Sequence, residues 1–378
     1  MEQQLTKIDL KPLILLILSI LFIPAAYLFV AAVFIVKLFK LNRIDTTRNK
    51  FCLLLYAYLI IGVMTSEYKL VSFVYCVILF LSFYTIKLFS RITEFCNIRT
   101  VKKLLYIVSL IVFIIGIFQY FNPHFAIPSK WVDTNEFDLS KRVYSTFFNP
   151  NIFGFFINII ILLACENIDF KKINLELIVF ISGLICLILT FSRTAWASLI
   201  ASLVIVSIFN KKYIKFLIII STTIICTDFL MGIGRSNPVK VMEDSSFLYR
   251  LEVWKTCIEI IKDNFISGIG FGTLFKYVGN YSTIVSNSIE HSHNIYIQIF
   301  TETGILGFSI FIIILSTIFK NLYININKQP RNEIWITAFA ILIMTLVHGL
   351  VDSVALTPQI LMILCIYIGS LRSIAQYK

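Results

Sequence analysis

The chain has 378 residues, 58% of them hydrophobic and 14% charged, with a mean hydropathy of +0.87. These figures exclude an ordinary soluble domain and place the protein in a bilayer. A net charge of +12 would suggest a nucleic-acid partner in a soluble protein, but here the basic residues sit between apolar blocks, where they report topology, so no nucleic acid is expected.

The apolar blocks run for about 15 to 25 residues, the length a helix needs to cross a hydrocarbon core of about 30 Å. None alternates in polarity as barrel strands do. The expected fold class is therefore an all-α polytopic membrane protein with about 12 transmembrane helices, forming a single transmembrane domain over residues 1–378. In chain order the spans are Leu13 to Phe22, Ala25 to Phe39, Phe51 to Thr65, Leu70 to Phe89, Leu104 to Phe121 and Asn151 to Cys165. Then come Leu175 to Phe191, Ala195 to Phe209, Ile214 to Met231, Gly304 to Phe319, Ile334 to Leu350 and Pro358 to Leu371. The first two read as a hairpin broken at Pro24, with one long tilted helix over Leu13 to Phe39 as the other reading. No cleavable signal is expected, because the first block continues into basic residues. Seven of the eight cysteines fall in or beside apolar blocks without a C-x-x-C pair, so they read as small hydrophobes rather than disulfide or zinc residues.

Lys and Arg concentrate in cytoplasmic loops. With both termini cytoplasmic, this frame puts 22 of the 33 basic residues inside, among them Lys102, Lys103, Lys171, Lys172, Lys211 and Lys212. It also puts all four histidines (His124, His291, His293 and His348) at the outer face, together with Arg142, Arg193, Arg235 and Arg250. Two connections stand out on that extracytoplasmic face, a shorter loop over 122–149 and a long loop over 232–303, and long ordered loops tend to carry function.

Within the long loop, Leu251, Trp254, Ile258 and Ile261 recur at helical spacing, which predicts an amphipathic helix lying on the membrane surface. Trp254 then reads either as an interfacial anchor or as part of a site, and Arg250 either as a lipid-headgroup contact or as a ligand-binding residue. The glycines Gly268, Gly270 and Gly272 lack a following Lys and read as turn glycines rather than a phosphate cradle. Further on, His291 and His293 flank Ser292 and are bracketed by Glu290 and Asn294. A neutral imidazole there could accept a proton from a hydroxyl. A metal is the rival reading, but no distant Cys or carboxylate partner is identifiable from the sequence, and none is expected.

Arg193, in "LTFSRTAWAS", lies between two apolar spans with almost no loop to solvate it, and Arg142 precedes the helix-starting Asn149, Pro150 and Asn151. Arg142, Arg193 and Arg250 together would suit a pyrophosphate, which arginine grips bidentately. Each could instead pair with an outer acid such as Asp138, Asp244, Glu252 or Asp352.

The ordered set "RVYSTFFNPN", "TFSRTAW", "YRLEVWKTCIEI" with "GIGFG", "HSHNIYIQIFTETGILG" and "HGLVDS" resembles the bacterial O-antigen ligase and polymerase superfamily over roughly Arg142 to Asp352. The sharpest piece is the span from His293 and Asn294 to Gly304 and Gly307. The resemblance implies a metal-independent and cofactor-free glycosyltransferase of the bacterial inner membrane. Such an enzyme moves a glycan from an undecaprenyl-pyrophosphate carrier to a sugar hydroxyl on a glycan or lipid-core acceptor, alongside other polysaccharide-assembly proteins. It implies His293 as the base or the residue that positions the acceptor hydroxyl, with His291 beside it. Arg193 and Arg250 would hold the pyrophosphate with help from Arg142, and His348 and Asp352 would orient the base or acceptor. Polymerase and ligase share this chemistry. The Phe-, Ile- and Lys-rich, Ala-poor composition points to an AT-rich gene, as surface-polysaccharide clusters often have, and inclines the reading towards an O-antigen or capsule repeat-unit polymerase.

A lipid-linked oligosaccharide flippase or another polytopic transporter is the rival from a different class. Transporters place ionisable or broken-helix sites near the midplane, whereas here the polar residues gather at the outer ends of the spans. A peptidoglycan glycosyltransferase would call for a prominent outer-loop acid as base, which the histidines fit less well.

Overall fold

The computed structural model describes residues 11–39, 59–60, 62–64, 66–90, 92, 98–122, 141–230, 244–286, 289, 291–329 and 332–376. Among these, every regular element is helical. In chain order they are α1 (Lys11–Leu21), α2 (Ile23–Phe39), α3 (Lys69–Phe89), α4 (Ile98–Phe121), α5 (Pro150–Cys165), α6 (Leu175–Leu189) and α7 (Arg193–Phe209). They continue with α8 (Lys212–Leu230), α9 (Ser245–Asp263), α10 (Leu274–Tyr281), α11 (Ile295–Lys328), α12 (Glu333–His348) and α13 (Pro358–Gln376). Single 3₁₀ turns occupy Ser145–Phe147 and Val354–Leu356.

Helix starts follow side-chain chemistry. Asn149, Asn174, Ser192, Asp244, Asn294 and Asn332 each accept a hydrogen bond from a backbone N–H in the first turn of the helix that follows. This satisfies donors that a helix leaves without an intrahelical partner. Pro150 opens α5, where its missing N–H costs nothing. The first apolar block divides at Phe22 into α1 and α2, with Pro24 in the first turn of α2.

Helix α5 lies at the centre of the bundle, with every residue from Phe153 to Cys165 buried. Its 16 residues span about 24 Å at 1.5 Å per residue, and a polar layer closes each end. At the Cys165 end, Lys102 pairs with Glu166, Lys212 Nζ donates to the Glu166 carbonyl at 2.7 Å, and Tyr213 donates to Glu333 at 3.0 Å. At the Pro150 end, Arg142, Asn151, Ser192, Arg250, His291, His293 and Asp352 meet from segments far apart in the chain. Four helices among the described residues are long and apolar enough to cross a membrane: Lys69–Phe89, Arg99–Phe121, Lys212–Leu230 and Ile295–Lys328. Seven further apolar helices are shorter, at 10–17 residues, and match expected spans by position. Most of the expected span Phe51 to Thr65 and most of the loop 122–149 lie outside the described residues.

The long loop departs from its expected layout in two ways. Helix α9 forms over the predicted segment, but the face it buries is Val253, Thr256, Cys257 and Ile260, while Ile258 is 45% exposed. Val253, Cys257 and Ile260 pack with Ile269, Leu274, Val278, Val285 and Ile289 in a small apolar core separate from the main one. The loop also ends earlier than expected, because α11 starts at Ile295 rather than Gly304 and only kinks at Gly304 (φ 59°, ψ −170°). The segment 265–272 docks on that kink. Ile305 N–H donates to Phe265 O at 2.8 Å, Ile269 N–H to Thr301 O at 3.1 Å and Gly270 N–H to Glu302 O at 2.9 Å. A Cβ on Gly304 would lie 2.2 Å from Ile266 O, and one on Gly268 2.3 Å from Thr303 N, so backbone meets backbone only because both are glycine.

Candidate active site

Asp352 is the residue around which the polar groups at the Pro150 end converge. It lies four residues past the end of α12, where its N–H donates to His348 O at 3.0 Å, and it is 2% exposed. Its Oδ1 stands 3.3 Å from His291 Nε2 and 3.5 Å from His293 Nδ1, and accepts the Ser353 N–H at 2.8 Å. Its Oδ2 accepts Asn151 Nδ2 at 2.9 Å and lies 4.0 Å from Arg250 Nη2. Burial pushes this carboxyl up, but the hydrogen bonds from His291 and His293 and the nearby positive charges outweigh it. The close approach of the two imidazoles and of the Arg250 charge holds the group well below the usual carboxylate range.

The two imidazoles are 4.4 Å apart between ring centres and tilted by 61°. Burial pushes the His293 imidazole below its ordinary value, and the Asp352 carboxylate only partly offsets this. His293 is therefore held neutral and ready to accept a proton at neutral pH. The residue also adopts a left-handed backbone (φ 55°), as do Ser145, Phe148 and Phe191. All four border the same polar end, and conformations that a non-glycine residue rarely takes tend to cluster at functional sites.

The arginines divide. Arg250, on α9, donates from Nη1 to Val351 O at 2.8 Å and faces the Asp352 carboxylate. Arg142 donates from Nε to Thr190 O at 2.8 Å and from Nη2 to Asn151 Oδ1 at 3.1 Å. It therefore reaches Asp352 through Asn151 rather than directly. Arg193, the first residue of α7, forms an ion pair with the buried Asp244, one of the outer acids the sequence offered as its partner. Arg193 still borders the cluster, because the preceding Ser192 donates to Asn151 Oδ1 at 2.9 Å.

The remaining expected residues brace the site. The Trp254 indole N–H donates to Ser292 O at 2.9 Å, so it grips the turn between the two histidines. Asn294 caps α11 and donates from Nδ2 to Leu350 O at 2.8 Å. The side chain of His348 turns away from the cluster. It is 1% exposed and stands edge-on to Phe155 at 5.0 Å, and neither ring nitrogen has a hydrogen-bond partner among the described residues. Its carbonyl supports Asp352, but its imidazole orients nothing in the cluster. Asn151 is the residue sequence reasoning missed as a site group. It accepts from Arg142 and Ser192 and donates to Asp352, and its one visible signal was its place beside the Pro150 break. His124, Arg235, Glu290 and Asp138 lie outside the described residues.

Donor atoms of His291, His293 and Asp352 all lie within 4.8 Å of one another, a set that could hold a metal ion. The surroundings fit a cation poorly. Asp352 already accepts from Asn151 and Ser353, and Arg250 would stand 4.0 Å from the same carboxylate as a like charge.

A family model described as O-antigen ligase matches residues 178–312. The matched stretch contains Arg193, Arg250, His291 and His293, and bears out the resemblance to the O-antigen ligase and polymerase superfamily. No curated protein matches the chain.

Proposed function

We propose, from that family match and from the two histidines gathered on Asp352, that the chain is a membrane glycosyltransferase acting at the extracytoplasmic face of the bacterial inner membrane. The donor is an undecaprenyl-pyrophosphate-linked glycan, and the acceptor is a sugar hydroxyl on a second glycan or a lipid core. The twelve-helix frame with cytoplasmic termini belongs to this reading, since the polar end opposite the site carries lysines such as Lys102 and Lys212. Among the two activities the family comprises, composition inclines the reading to a repeat-unit polymerase.

The single observation that carries the proposal is the juxtaposition of His293 and His291 on the Asp352 carboxylate, with Arg250 at its other oxygen. In the reaction, the acceptor oxygen attacks the anomeric carbon of the donor sugar and its proton passes to the His293 imidazole. The bond from that carbon to the pyrophosphate oxygen breaks, and the carrier pyrophosphate leaves with the electron pair. Asp352 stabilises the imidazolium that forms, as a carboxylate beside a catalytic imidazole does. The leaving group is already activated, so it needs charge neutralisation more than a proton. Arg250 and Arg193 supply that neutralisation in this reading, with Arg142 holding Asn151 in place. No step calls for a metal.

Reconstitution with an undecaprenyl-pyrophosphate-linked oligosaccharide tests this. A ladder of repeats identifies a polymerase, and a single transfer to a lipid core identifies a ligase, each unaffected by chelator and abolished or reduced at least about a hundredfold in His293→Ala and Arg193→Ala. Movement of the lipid-linked sugar across the bilayer without either product would identify a flippase instead and end the enzyme reading. Full transfer in His293→Ala would remove that residue's role alone.

A further inference from the structure

The turn that carries the two histidines is held from behind by a pair of buried residues on α11. Ser292, between them, is fully buried. Its N–H donates to Gln298 Oε1 at 2.6 Å, and its carbonyl accepts the Trp254 indole N–H at 2.9 Å. Gln298 Nε2 in turn donates to Glu302 Oε1 at 2.6 Å, and that same oxygen accepts the Gly272 N–H at 2.9 Å. The Ser292 N–H can only donate, so it needs the amide oxygen of Gln298, and the Glu302 oxygen is left to accept from the amide NH₂. Gln298 must therefore turn its NH₂ to Glu302 and its oxygen to Ser292, since an amide's two ends are chemically distinct. Glu302 thus sets the direction of the Gln298 amide, and the amide sets the backbone between the histidines.

We infer that Gln298 and Glu302 are positioning residues for His291 and His293, forming a relay that fixes the histidine turn to the docked glycine segment 268–272. Three features support this beyond ordinary packing. The relay ends on the backbone N–H of Ser292, the residue between the two histidines. It is matched on the other side of Ser292 by Trp254 from α9, so both backbone groups of that residue are gripped. It also restrains a turn in which His293 holds a left-handed backbone that relaxes unless neighbouring contacts impose it. Without the Gln298 oxygen, a buried N–H loses its acceptor and the turn has reason to rearrange.

The inference rests on the transfer reaction assigned to the histidine turn, and the test separates the two. With the full chain in lipid nanodiscs and an undecaprenyl-pyrophosphate-linked repeat unit as probe, Gln298→Leu should lower kcat by about ten- to a hundredfold while KM stays within about twofold. Deuterium exchange at the Ser292 amide should rise in the same variant. Glu302→Gln still offers one oxygen to both donors and should keep about half the wild-type kcat or more, whereas Glu302→Leu should fall with Gln298→Leu. Unchanged kcat per folded molecule in Gln298→Leu, or Glu302→Gln as defective as Glu302→Leu, overturns the inference. If His293→Ala transfers at the wild-type rate, it is the role given to His293 that fails, and exchange at Ser292 then reads the positioning by itself.

Discussion

His293 and Asp352 form a pair whose environments push them in opposite chemical directions. The imidazole is driven towards its neutral form by burial, and the carboxylate is kept ionised by the donors around it. A base must be neutral to act, so the rate rises with pH through the His293 pKa, and the acid limb of the profile should lie below the ordinary imidazole value of about 6.5. Asp352 opposes the downward shift by favouring imidazolium. Asp352→Asn should therefore move the acid limb to still lower pH and cut the plateau rate at least about tenfold, because the imidazolium formed in the reaction loses its counter-charge. A pH–rate series on the variant checks the sign, and a limb that moves upward would place the base elsewhere. The histidines and Arg250 were legible in the sequence because imidazole and guanidinium are scarce at the outer ends of apolar spans. Asn151 was not, because its role depends on three chain segments meeting at one amide. The Arg193 pairing with Asp244 stood among the alternatives, but sequence alone could not choose among four outer acids.

Helix ends do much of the arranging. Helices α5, α7, α9 and α11 all begin at the site, each under a side-chain cap. Four N-termini at one place supply partial positive charge where the proposed reaction would hold a pyrophosphate. The α9 stripe shows where periodicity fails. Leu251, Trp254, Ile258 and Ile261 alternate around the helix with Val253, Cys257 and Ile260, so both faces have helical spacing. The face that is buried is decided by the loop's own core, which no local pattern displays. The kink of α11 was equally hidden, since Gly304 reads as the start of a span until the segment 265–272 is seen against it. Gly304→Ala would drive a methyl group into Ile266 O at a positive φ, and should cost at least about 2 kcal/mol. Thermal unfolding in detergent measures this, and an unshifted midpoint would mean that the docked segment moves freely.

At the scale of the whole molecule, two polar layers sandwich an apolar interior centred on α5. One layer is rich in lysines and glutamates, the other in histidines, arginines and asparagines. The positive-inside tendency assigns the first to the cytoplasm. Single cysteines introduced at Lys172 and Ser282 in a background lacking the native ones should separate cleanly, with a membrane-impermeant maleimide labelling position 282 from outside and position 172 only after the membrane is opened. The reverse pattern would invert the frame. The order of the apolar helices among the described residues was legible from composition because a bilayer demands long apolar runs. The convergence of loops far apart in the chain was not, because no local rule pairs residue 151 with residue 352.

That pairing has a consequence for how the protein is made. Asn151 and Asp352 are 201 positions apart, and the carboxylate that gathers both histidines and Arg250 is made after all of them. A nascent chain that has inserted α5 through α11 already displays its histidines and arginines, yet lacks the carboxylate that draws His291, His293 and Arg250 together. On the proposed reading, competence arrives with α12 and the residues after it, and a chain interrupted earlier is expected to be inactive.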